Sequence, residues 1–520
     1  MNRIFTTFSR KIPKHQHLRT MSTQISEFQG LVTGITSDKT FPSLNSEIQS
    51  HLVGQLEQSG AKGKRGDCRV LYPSNGEFQQ VAVVGLGKQN EAEATRTAAA
   101  VGIKTLRERG ISSISVDPMG NSHAAAEGAH LALYCFDELK SSKPRPVPSI
   151  KLAGSEEGKD GLNWKTGLIY AEAQNLARRL MEMPANLMSP RIFAEQAKKS
   201  FEGIKDVEVI VREKEWAESK GMNAFLSVAK GSSEPLRFVE IHYNGDAKNK
   251  NDLALALVGK GVTFDAGGIS IKPSDNMASM KGDMGGAATV LSTLYGIARL
   301  GLPLNVKGFI PLCENLPSGT ASKPGDVVKA MNGKSIEIVD TDAEGRMILA
   351  DAIYYASSTY RPRTLLDVAT LTGSVIIALG ELYASVFTNS TSLFRELEAA
   401  GEAESDPFWR MPLHSGYMKQ ITTSTTADLI NYGGRAAGAC TAAIFLKEFV
   451  YGLSKEVNEE SENDDDDELG EVKNEEKIRY AHIDIASVME TNSSEGYNVK
   501  GMTGRPTRSL IEFARRLAQK

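Results

Sequence analysis

Hydrophobic residues along the first third of the chain follow two spacings in turn, which predicts alternating strands and helices. The apolar run Val81–Gly85 predicts a strand, and the stretch that continues to Arg109 predicts a helix. Ile111–Val116 and His123–Lys140 repeat this pattern as a second strand and a second helix. Such alternation is typical of a domain in which helices cover a parallel sheet.

The same alternation resumes after a long helical stretch, Trp164–Glu182, which we expect to join two domains. Beyond Pro190 the apolar spacing again changes repeatedly between that of helices and that of strands. The predicted helices are Ile192–Phe201, Leu291–Leu300, Glu344–Ser357, Thr441–Val450 and Pro506–Ala518, and the predicted strands are Val207–Val211, Phe238–Tyr243, Leu253–Val258, Asn305–Pro311, Thr364–Ala369 and His482–Ile485.

These elements predict an α/β fold with two domains. We place a smaller N-terminal α/β domain at residues 27–150, a linker helix within 151–189, and a larger C-terminal domain at 190–520. Gly85 and Gly87 follow the first predicted strand, as in a dinucleotide-binding turn. The third glycine of that motif is missing, and no acidic residue follows at the expected distance. A tight strand-to-helix turn is therefore favoured.

Charge divides the 520 residues into a neutral body and two charged extensions. Residues 1–26 contain five basic residues and no acid, whereas residues 455–477 contain twelve acids and three lysines. The rest of the chain has 52 basic and 52 acidic residues. A neutral body argues against binding of nucleic acid through bulk charge.

The basic leader, residues 1–26, has the composition of an organelle presequence. Its apolar residues, among them Ile4 and Phe8, fall on one face of a helical wheel. The alternative is an untranslated or disordered tail, because Met21 is also a possible start. We expect a cytoplasmic protein if translation starts at Met21, with a mitochondrial form if it starts at Met1.

The acidic stretch 455–477 has three aliphatic residues and no aromatic residue, so we expect a disordered loop insertion. The four cysteines are scattered without a C-x-x-C pair, which predicts a reducing compartment. No apolar run reaches the roughly 18 residues that a membrane-spanning helix needs. We therefore expect no membrane partner.

Short motifs of several hydrolase classes are absent from the chain. It has no G-x-S-x-G and no H-E-x-x-H, and only eight histidines. A histidine-ligated zinc enzyme and a Ser-His-Asp hydrolase are thus poorly supported. We interpret His482, at the start of an apolar strand, as a structural histidine.

Acids and lysines flanked by glycines collect instead near predicted strand ends. Lys260 and Asp265 follow the strand Leu253–Val258, where open α/β sheets bind ligands. Asp342 and Glu344 precede a predicted helix, so capping of that helix is the alternative role for them. Converging carboxylates repel one another, and divalent cations neutralise them. Oxygen-rich ligation of this kind suits Zn, Mn, Mg or Co.

Six segments of the chain closely resemble the leucyl aminopeptidases, the cytosol aminopeptidase family of metallopeptidases. The similarity extends from about residue 180 to the C-terminus, apart from the acidic stretch, whereas the N-terminal region matches the family only in its α/β character. The segments are Val258–Gly268, Pro311–Gly319, Lys323–Val328, Thr341–Arg346, Ala369–Gly373 and Gly504–Thr507.

The resemblance implies two divalent metal ions in each subunit. The tighter zinc site would use Lys260, Asp265, Asp283 and Glu344. The more exchangeable site would use Asp265, Asp342 and Glu344, and would accept Zn, Mn, Mg or Co. Asp265 and Glu344 would then bridge the two ions.

The resemblance also implies the catalytic and substrate-binding residues. Lys272 would bind the carbonyl oxygen and the tetrahedral intermediate, and Arg346 would hold a bicarbonate ion as general base. The backbone of Leu371 would contact the substrate amine. An apolar pocket that favours Leu or Met would be lined by Met280, Thr370, Gly373, Ala486 and Met489.

The implied activity is release of the N-terminal residue from peptides, in intracellular peptide turnover. The implied assembly is a homohexamer built as a dimer of trimers, and the implied C-terminal fold is a mixed, twisted sheet with the site at its carboxyl edge. The chain departs from the family signature at Asp340 and Met347, where Asn and Leu are usual. The alternatives are another dimetal hydrolase, such as a phosphoesterase, and a binding or chaperone-like protein on an inactive peptidase scaffold.

Overall fold

The computed structural model describes residues 29–74, 77–88, 91–142, 146–154, 158, 160–249, 252–453 and 477–520. The predicted leader, residues 1–26, lies outside the described residues, as does the acidic stretch up to residue 476. Within the described ranges, no helix has both the length and the apolar character that a bilayer crossing requires.

The N-terminal domain is built on a five-stranded sheet that extends from Gly30 to Leu152. The predicted limits of this domain, residues 27 and 150, and those of the linker, residues 151 and 189, stay predictions. In chain order, its elements are β1 Gly30–Thr36, α1 Ser46–Gln58, β2 Cys68–Leu71, β3 Gln80–Gly87, α2 Ala92–Glu108, β4 Ser113–Val116, α3 Ser122–Leu131 and β5 Ser149–Leu152.

The strand order is β2-β3-β1-β4-β5, and all neighbours are parallel except β2 and β3. The predicted parallel sheet is therefore correct for four strands, and the edge strand β2 runs antiparallel. Apolar residues of α2 and α3 cover one face of the sheet, and those of α1 cover the other.

Helix α3 ends at Leu131, nine residues before the predicted end at Lys140. Its last carbonyl groups are taken by side chains of the following helix, α4 (Trp164–Glu182). Arg178 donates to the carbonyl of Leu131 at 3.2 Å, and Asn175 donates to the carbonyl of His130 at 3.3 Å. These bonds satisfy carbonyl groups that a longer α3 would have paired internally.

The C-terminal domain contains the remaining elements. They are α5 Pro190–Ser200, β6 Val207–Arg212, α6 Lys214–Ser219, α7 Asn223–Ala229, β7 Arg237–Asn244, β8 Leu255–Gly259, β9 Gly261–Asp265, α8 Gly285–Leu300, β10 Asn305–Asn315, β11 Val327–Lys329, β12 Ser335–Glu337, α9 Gly345–Tyr360, β13 Thr364–Ala369, α10 Gly373–Leu379, β14 Ala384–Thr388, α11 Thr391–Ala403, β15 Phe408–Arg410, β16 Leu429–Ile430, α12 Gly438–Lys447, β17 Arg479–Asp484, β18 Glu490–Thr491, β19 Gly501–Met502 and α13 Thr507–Leu517.

The central sheet of this domain has the order β15-β14-β17-β13-β8-β10-β7-β6, with β9 paired to β10. Strands β10, β8, β13 and β17 are parallel, whereas β14 and β7 run antiparallel to their neighbours β17 and β10. The predicted two-domain α/β fold with a mixed sheet is confirmed. Residues of α4, α8 and α13 pack on one face of this sheet, and those of α7, α9 and α12 on the other.

A buried ion cluster joins the two domains. Arg96 of α2 and Arg508 of α13 both pair with Glu127 of α3 and with Glu404 at the end of α11. The distances to Glu404 are 3.0 Å from Arg96 and 3.1 Å from Arg508. His123 of α3 lies 3.6 Å from the Glu127 carboxylate and 3.7 Å from that of Glu404. We call these five residues the interdomain ion cluster.

The environment of His123 favours its charged form. Burial opposes the charge, but the carboxylates of Glu127 and Glu404 outweigh it and raise the pKa of His123 to about 9. The Nδ1 atom of His123 lies 2.9 Å from the hydroxyl of Thr166 on α4, and its ring meets the edge of Tyr170. Nε2 therefore faces the two carboxylates.

The interdomain ion cluster should make stability depend on pH through His123. Its pKa is raised from 6.5 in an unstructured chain to about 9, so the folded state binds this proton more tightly. The stabilisation is complete below about pH 6.5 and is lost as the pH rises through about 9, which corresponds to roughly 3 kcal/mol. We expect His123→Gln to remove this decline from the free energy of unfolding, measured by urea titration across that pH range.

His130→Gln is the matched control, because His130 lies on the same helix and burial lowers its pKa to about 4. Above about pH 7.5 His130 is neutral in both the folded and the unfolded chain, so its replacement should leave the decline between about pH 7.5 and 9 unchanged. An identical slope in wild type and His123→Gln would contradict the assignment.

Candidate active site

Several strands of the central sheet end at the same edge, and their ends carry the polar residues of a single site. Lys260 directly follows β8, Asp265 is the last residue of β9, and Thr370 directly follows β13. Glycine at position 286 lets α8 approach this edge, since a Cβ atom there would lie 2.0 Å from the carbonyl oxygen of Val368. The sheet thus brings together residues that are more than 100 positions apart.

The Lys260 ammonium lies between two buried carboxylates. Its Nζ is 2.7 Å from Asp283 and 2.9 Å from Glu344. It also donates to the carbonyl oxygen of Thr370 at 2.8 Å. A Cβ atom on Gly345 would lie 2.5 Å from the Lys260 side chain, so the glycine that begins α9 leaves the room that this lysine occupies.

The Lys272 ammonium lies between the other two carboxylates. Its Nζ is 2.8 Å from Asp265 and 2.5 Å from Asp342. Carboxylate oxygens of Asp265, Asp342 and Glu344 lie within 4.8 Å of one another, which is close enough for one cation to contact all three. The four carboxylates and two lysines form one contiguous cluster.

Burial and repulsion by neighbouring acids make it costly for three of these carboxylates, those of Asp265, Asp283 and Asp342, to ionise. Burial, together with the negative charge of neighbouring acids, raises the pKa of Asp265 and Asp283 and raises that of Asp342 to about 7. Two ammonium groups offset only two of the four charges. The Oδ2 atom of Asp283 is buried and has no hydrogen-bond partner among the described residues. An unpaired buried acceptor and an excess of carboxylates both fit a divalent cation.

Two asparagines outside the cluster hold Asp265 and the backbone on either side of Asp342 in place. Asn315, the last residue of β10, donates to Asp265 at 2.8 Å and to the carbonyl of Thr341 at 3.0 Å. Asn431 accepts from the amides of Val339 and Asp340 and donates to the Asp340 carbonyl at 2.6 Å. Sequence reasoning did not single out either residue. Asn315 lies within the segment Pro311–Gly319, so its signal was present in the sequence.

Arg346, near the start of α9, offers an unpaired positive charge. Its side chain is buried, and the Nε and NH1 atoms have no hydrogen-bond partner within the described chain. Burial lowers its pKa to about 10, which still leaves the guanidinium charged at neutral pH. A buried donor without an acceptor is suited to hold an anion.

All thirteen residues singled out from the sequence line one cleft of about 390 Å³. The carboxylates, Lys260, Lys272 and Arg346 contribute its charged lining. Met280, Leu371, Ala486 and Met489 supply apolar lining, together with the residues Thr370 and Gly373. The further lining residues that sequence reasoning missed include Ile376, Tyr432 and Arg435. Tyr432 and Arg435 belong to no segment of recognised chemistry, and only the folded chain brings them to the cleft.

His482 is not part of this cleft. It is fully buried, and its Nδ1 lies 2.6 Å from Asp367 on the neighbouring strand. This agrees with its interpretation as a structural histidine.

Models of one protein family match both domains. The model described as the catalytic domain of the cytosol aminopeptidase family matches residues 175–511, and that of the family's N-terminal domain matches residues 33–143. The chain belongs to the cytosol aminopeptidase family. The resemblance seen in the sequence alone therefore reaches further than expected, because the N-terminal domain also carries it.

Individual relatives cover nearly the whole chain. Cytosol aminopeptidase of Homo sapiens is 45% identical over 514 residues, which cover 94% of this chain and 93% of the human protein. Cytosol aminopeptidase of Xenopus tropicalis is 46% identical over 491 residues, covering 92% of this chain and 88% of the frog protein.

Solved structures of this fold include two informative neighbours. The bottromycin maturation enzyme BotP in complex with Mn superposes with a TM-score of 0.80 at 32% identity, covering 94% of this chain and 99% of BotP. A mutant of tomato leucine aminopeptidase superposes with a TM-score of 0.77 at 28% identity, covering 96% of this chain and 95% of the tomato chain.

The family assignment makes this chain an aminopeptidase, a hydrolase that removes N-terminal residues from peptides. The family is metal-dependent, and the carboxylate cluster provides candidate ligands. The alternatives of a phosphoesterase and of an inactive scaffold lose their basis, because the family is one of peptidases and the implied residues converge in one cleft.

A second group of ligand-type side chains, His123, Glu127 and Glu404, lies in the interdomain ion cluster. Arg96 and Arg508 already neutralise its two carboxylates. A divalent cation there would add uncompensated positive charge in a buried place. This group therefore lacks the excess of negative charge that the cleft has.

Glu344→Ala should weaken binding of divalent cations, because Glu344 is the buried carboxylate at the centre of the cluster. We expect an affinity loss larger than the roughly 10–100-fold that removal of an outer-shell partner costs. Titration calorimetry with Mn²⁺ on metal-depleted protein measures it. Glu396→Ala is the control, because Glu396 pairs with Arg479 away from the cleft. Equal Mn²⁺ affinity in Glu344→Ala and wild type would contradict the ligand assignment.

Proposed function

We propose that this chain is a leucyl aminopeptidase that uses two divalent metal ions to release N-terminal Leu and other apolar residues during intracellular peptide turnover. The observation that carries the proposal is the convergence of a carboxylate cluster, two cationic side chains and an apolar wall in one cleft. An enzyme of this class needs a place for a cation, for an oxyanion and for an apolar side chain.

The proposed ligands fall into two overlapping sets. Lys260, Asp265, Asp283 and Glu344 would hold the tighter zinc ion. Asp265, Asp342 and Glu344 would hold the second, exchangeable ion, which could be Zn, Mn, Mg or Co. The unpaired Asp283 oxygen and the mutual proximity of the other carboxylates support these sets.

Lys260 would serve as a ligand only after its ammonium loses a proton, because the neutral amine alone has a lone pair to donate. When bound, the metals would lower the pKa of a water molecule and polarise the peptide carbonyl. The chain's own residues supply the remaining steps.

Lys272 would stabilise the negative charge that develops on the carbonyl oxygen. Its side chain is about one-fifth exposed and lies at the cleft, so a substrate can reach the ammonium. Arg346 would hold the bicarbonate that serves as general base, and its unpaired Nε and NH1 atoms support that role.

The substrate would be oriented by the segment that follows β13 and by the segment that follows β17. The backbone of Leu371 would contact the substrate amine. The side chains of Met280, Thr370, Ala486 and Met489, with the open space at Gly373, would receive the first side chain of the peptide. A pocket of this composition favours Leu and Met.

We further propose that the protein is cytoplasmic, with a mitochondrial form if the leader is translated. We also propose that it assembles as a homohexamer, a dimer of trimers. Two large apolar side chains that are exposed in the single chain support an assembly: Ile377 is 83% exposed and Leu382 is 69% exposed. Surfaces of this kind are usually covered by a partner. A nucleic-acid or membrane partner is not part of the proposal.

Hydrolysis of Leu-p-nitroanilide should depend on a bound divalent metal. We expect the purified protein to release nitroaniline, to lose this activity on treatment with a chelator, and to regain it with Zn²⁺ or Mn²⁺. The Leu substrate should be preferred over one with N-terminal Asp, because the pocket wall is apolar. Chelator-resistant hydrolysis, or no release of amine at all, would contradict the proposal.

Lys272→Ala should lower kcat by about 100–1,000-fold, the usual cost of losing one group that stabilises an oxyanion. Its metal content should stay close to that of wild type, because no proposed metal ligand is removed. Lys281→Ala is the matched control, since Lys281 pairs with Glu182 at 2.8 Å and does not line the cleft. A Lys272→Ala enzyme with wild-type kcat would exclude this role for Lys272.

A further inference from the structure

Asp484 joins two segments of the cleft wall although it does not line the cleft itself. It is the last residue of β17 and is fully buried. Its carboxylate accepts from the Leu371 amide at 3.1 Å, the Thr372 hydroxyl at 2.7 Å and the Ala486 amide at 3.1 Å. One side chain thus binds both the segment that follows β13 and the segment that follows β17.

These two segments each contribute lining to the proposed side-chain pocket. Thr370 and Gly373 belong to the first, and Ala486 and Met489 belong to the second. Strands β13 and β17 pair in parallel, and the last pair of residues in their ladder is Ala369 with Asp484. One further backbone bond follows, from the Ile485 amide to the Ala369 carbonyl. Beyond this bond, hydrogen bonds to the Asp484 side chain connect the two segments in place of backbone pairing.

We propose that Asp484 is a positioning residue that fixes the width of the substrate side-chain pocket and thereby sets the preference for the N-terminal residue. The proposal rests on the proposed function, because it assumes that this pocket receives the first side chain. Asp484 acts through Leu371, Thr372 and Ala486 and is not itself a catalytic residue.

A carboxylate suits this position better than an amide would. An ionised carboxylate only accepts, so it can serve all three donors at once, whereas an amide places two N–H groups where acceptors are needed. The strand that carries Asp484 is itself bonded to β13: His482, two positions earlier on the same face of β17, bonds to Asp367 at 2.6 Å, and Tyr480 donates to Asp367 at 2.7 Å. This buried row fixes the strand end from which Asp484 projects.

The chain contains a matched buried carboxylate that is remote from the pocket. Asp351 of α9 is also fully buried and accepts from the amides of Phe225 at 3.0 Å and Met331 at 2.7 Å. It does not line the cleft or contact its wall segments. Replacement of Asp351 should therefore lower stability as replacement of Asp484 does, without a change in specificity.

The test compares Asp484→Ala, Asp484→Asn and Asp351→Asn in the metal-loaded enzyme with Leu- and Ala-p-nitroanilide. In Asp484→Ala we expect KM for the Leu substrate to rise about tenfold, with a smaller change in kcat, and the Leu-to-Ala ratio of kcat/KM to fall by a similar factor. Asp484→Asn should lie in between, because its remaining oxygen can still accept from the two amides. Asp351→Asn should lower Tm and keep the wild-type ratio.

A wild-type ratio in Asp484→Ala would overturn the proposal, and so would an equal fall in Asp351→Asn. If Asp484→Ala does not fold, Thr372→Val removes the bond from that hydroxyl to Asp484, together with the cap that it forms on the Val375 amide of α10, and an unchanged ratio there would also overturn the proposal. Failure of the proposed function would look different, since the wild-type enzyme itself would then lack a preference for the Leu substrate.

Discussion

Repulsion among four carboxylates in one buried cleft is the constraint on which the arrangement of this enzyme depends. In the folded chain, Lys260 and Lys272 each lie between two of these carboxylates, yet two positive charges do not balance four negative ones. Burial removes the water that would otherwise screen the acids. Further positive charge would favour the ionised form of these acids, and the carboxylates are candidate oxygen ligands for a divalent cation that would supply it.

The sheet makes such crowding possible by ending several parallel strands at one edge. Residues that follow β8, β9 and β13 meet there, and close approach of backbone to backbone is allowed where the chain has glycine, as at Gly286 and Gly345. The side chains Asn315 and Asn431 then fix the loops that carry Asp265 and Asp340. Asp265 and the segment that leads to Asp342 are thus each held by an asparagine from a distant part of the chain.

The sequence predicted the site better than it predicted the fold around it. The ligand-type residues lie in compact segments whose spacing is visible in the sequence, and the structure brings all of them to one cleft. Asp484, Asn431 and Arg435 were missed because their importance comes from contacts between segments distant in the chain. The end of α3 was also misplaced, and two of the hydrogen bonds at this end come from side chains of α4, which lie more than 40 positions away in the chain. Pairs such as Arg96 and Glu404, 308 positions apart, cannot be seen in local patterns.

The interdomain ion cluster and the pocket wall are connected through the same helix. Gln174 of α4 accepts from Arg508 at 2.6 Å and donates to the carbonyl of Thr503 at 2.8 Å. The Thr503 amide in turn donates to the carbonyl of Met489, at the far end of the wall segment that Asp484 holds at its near end. That segment is thus fixed at one end by the central sheet and at the other by the contact between domains. No described residue of the N-terminal domain lines the cleft, but hydrogen bonds through Gln174 connect its junction with the C-terminal domain to one end of the pocket wall.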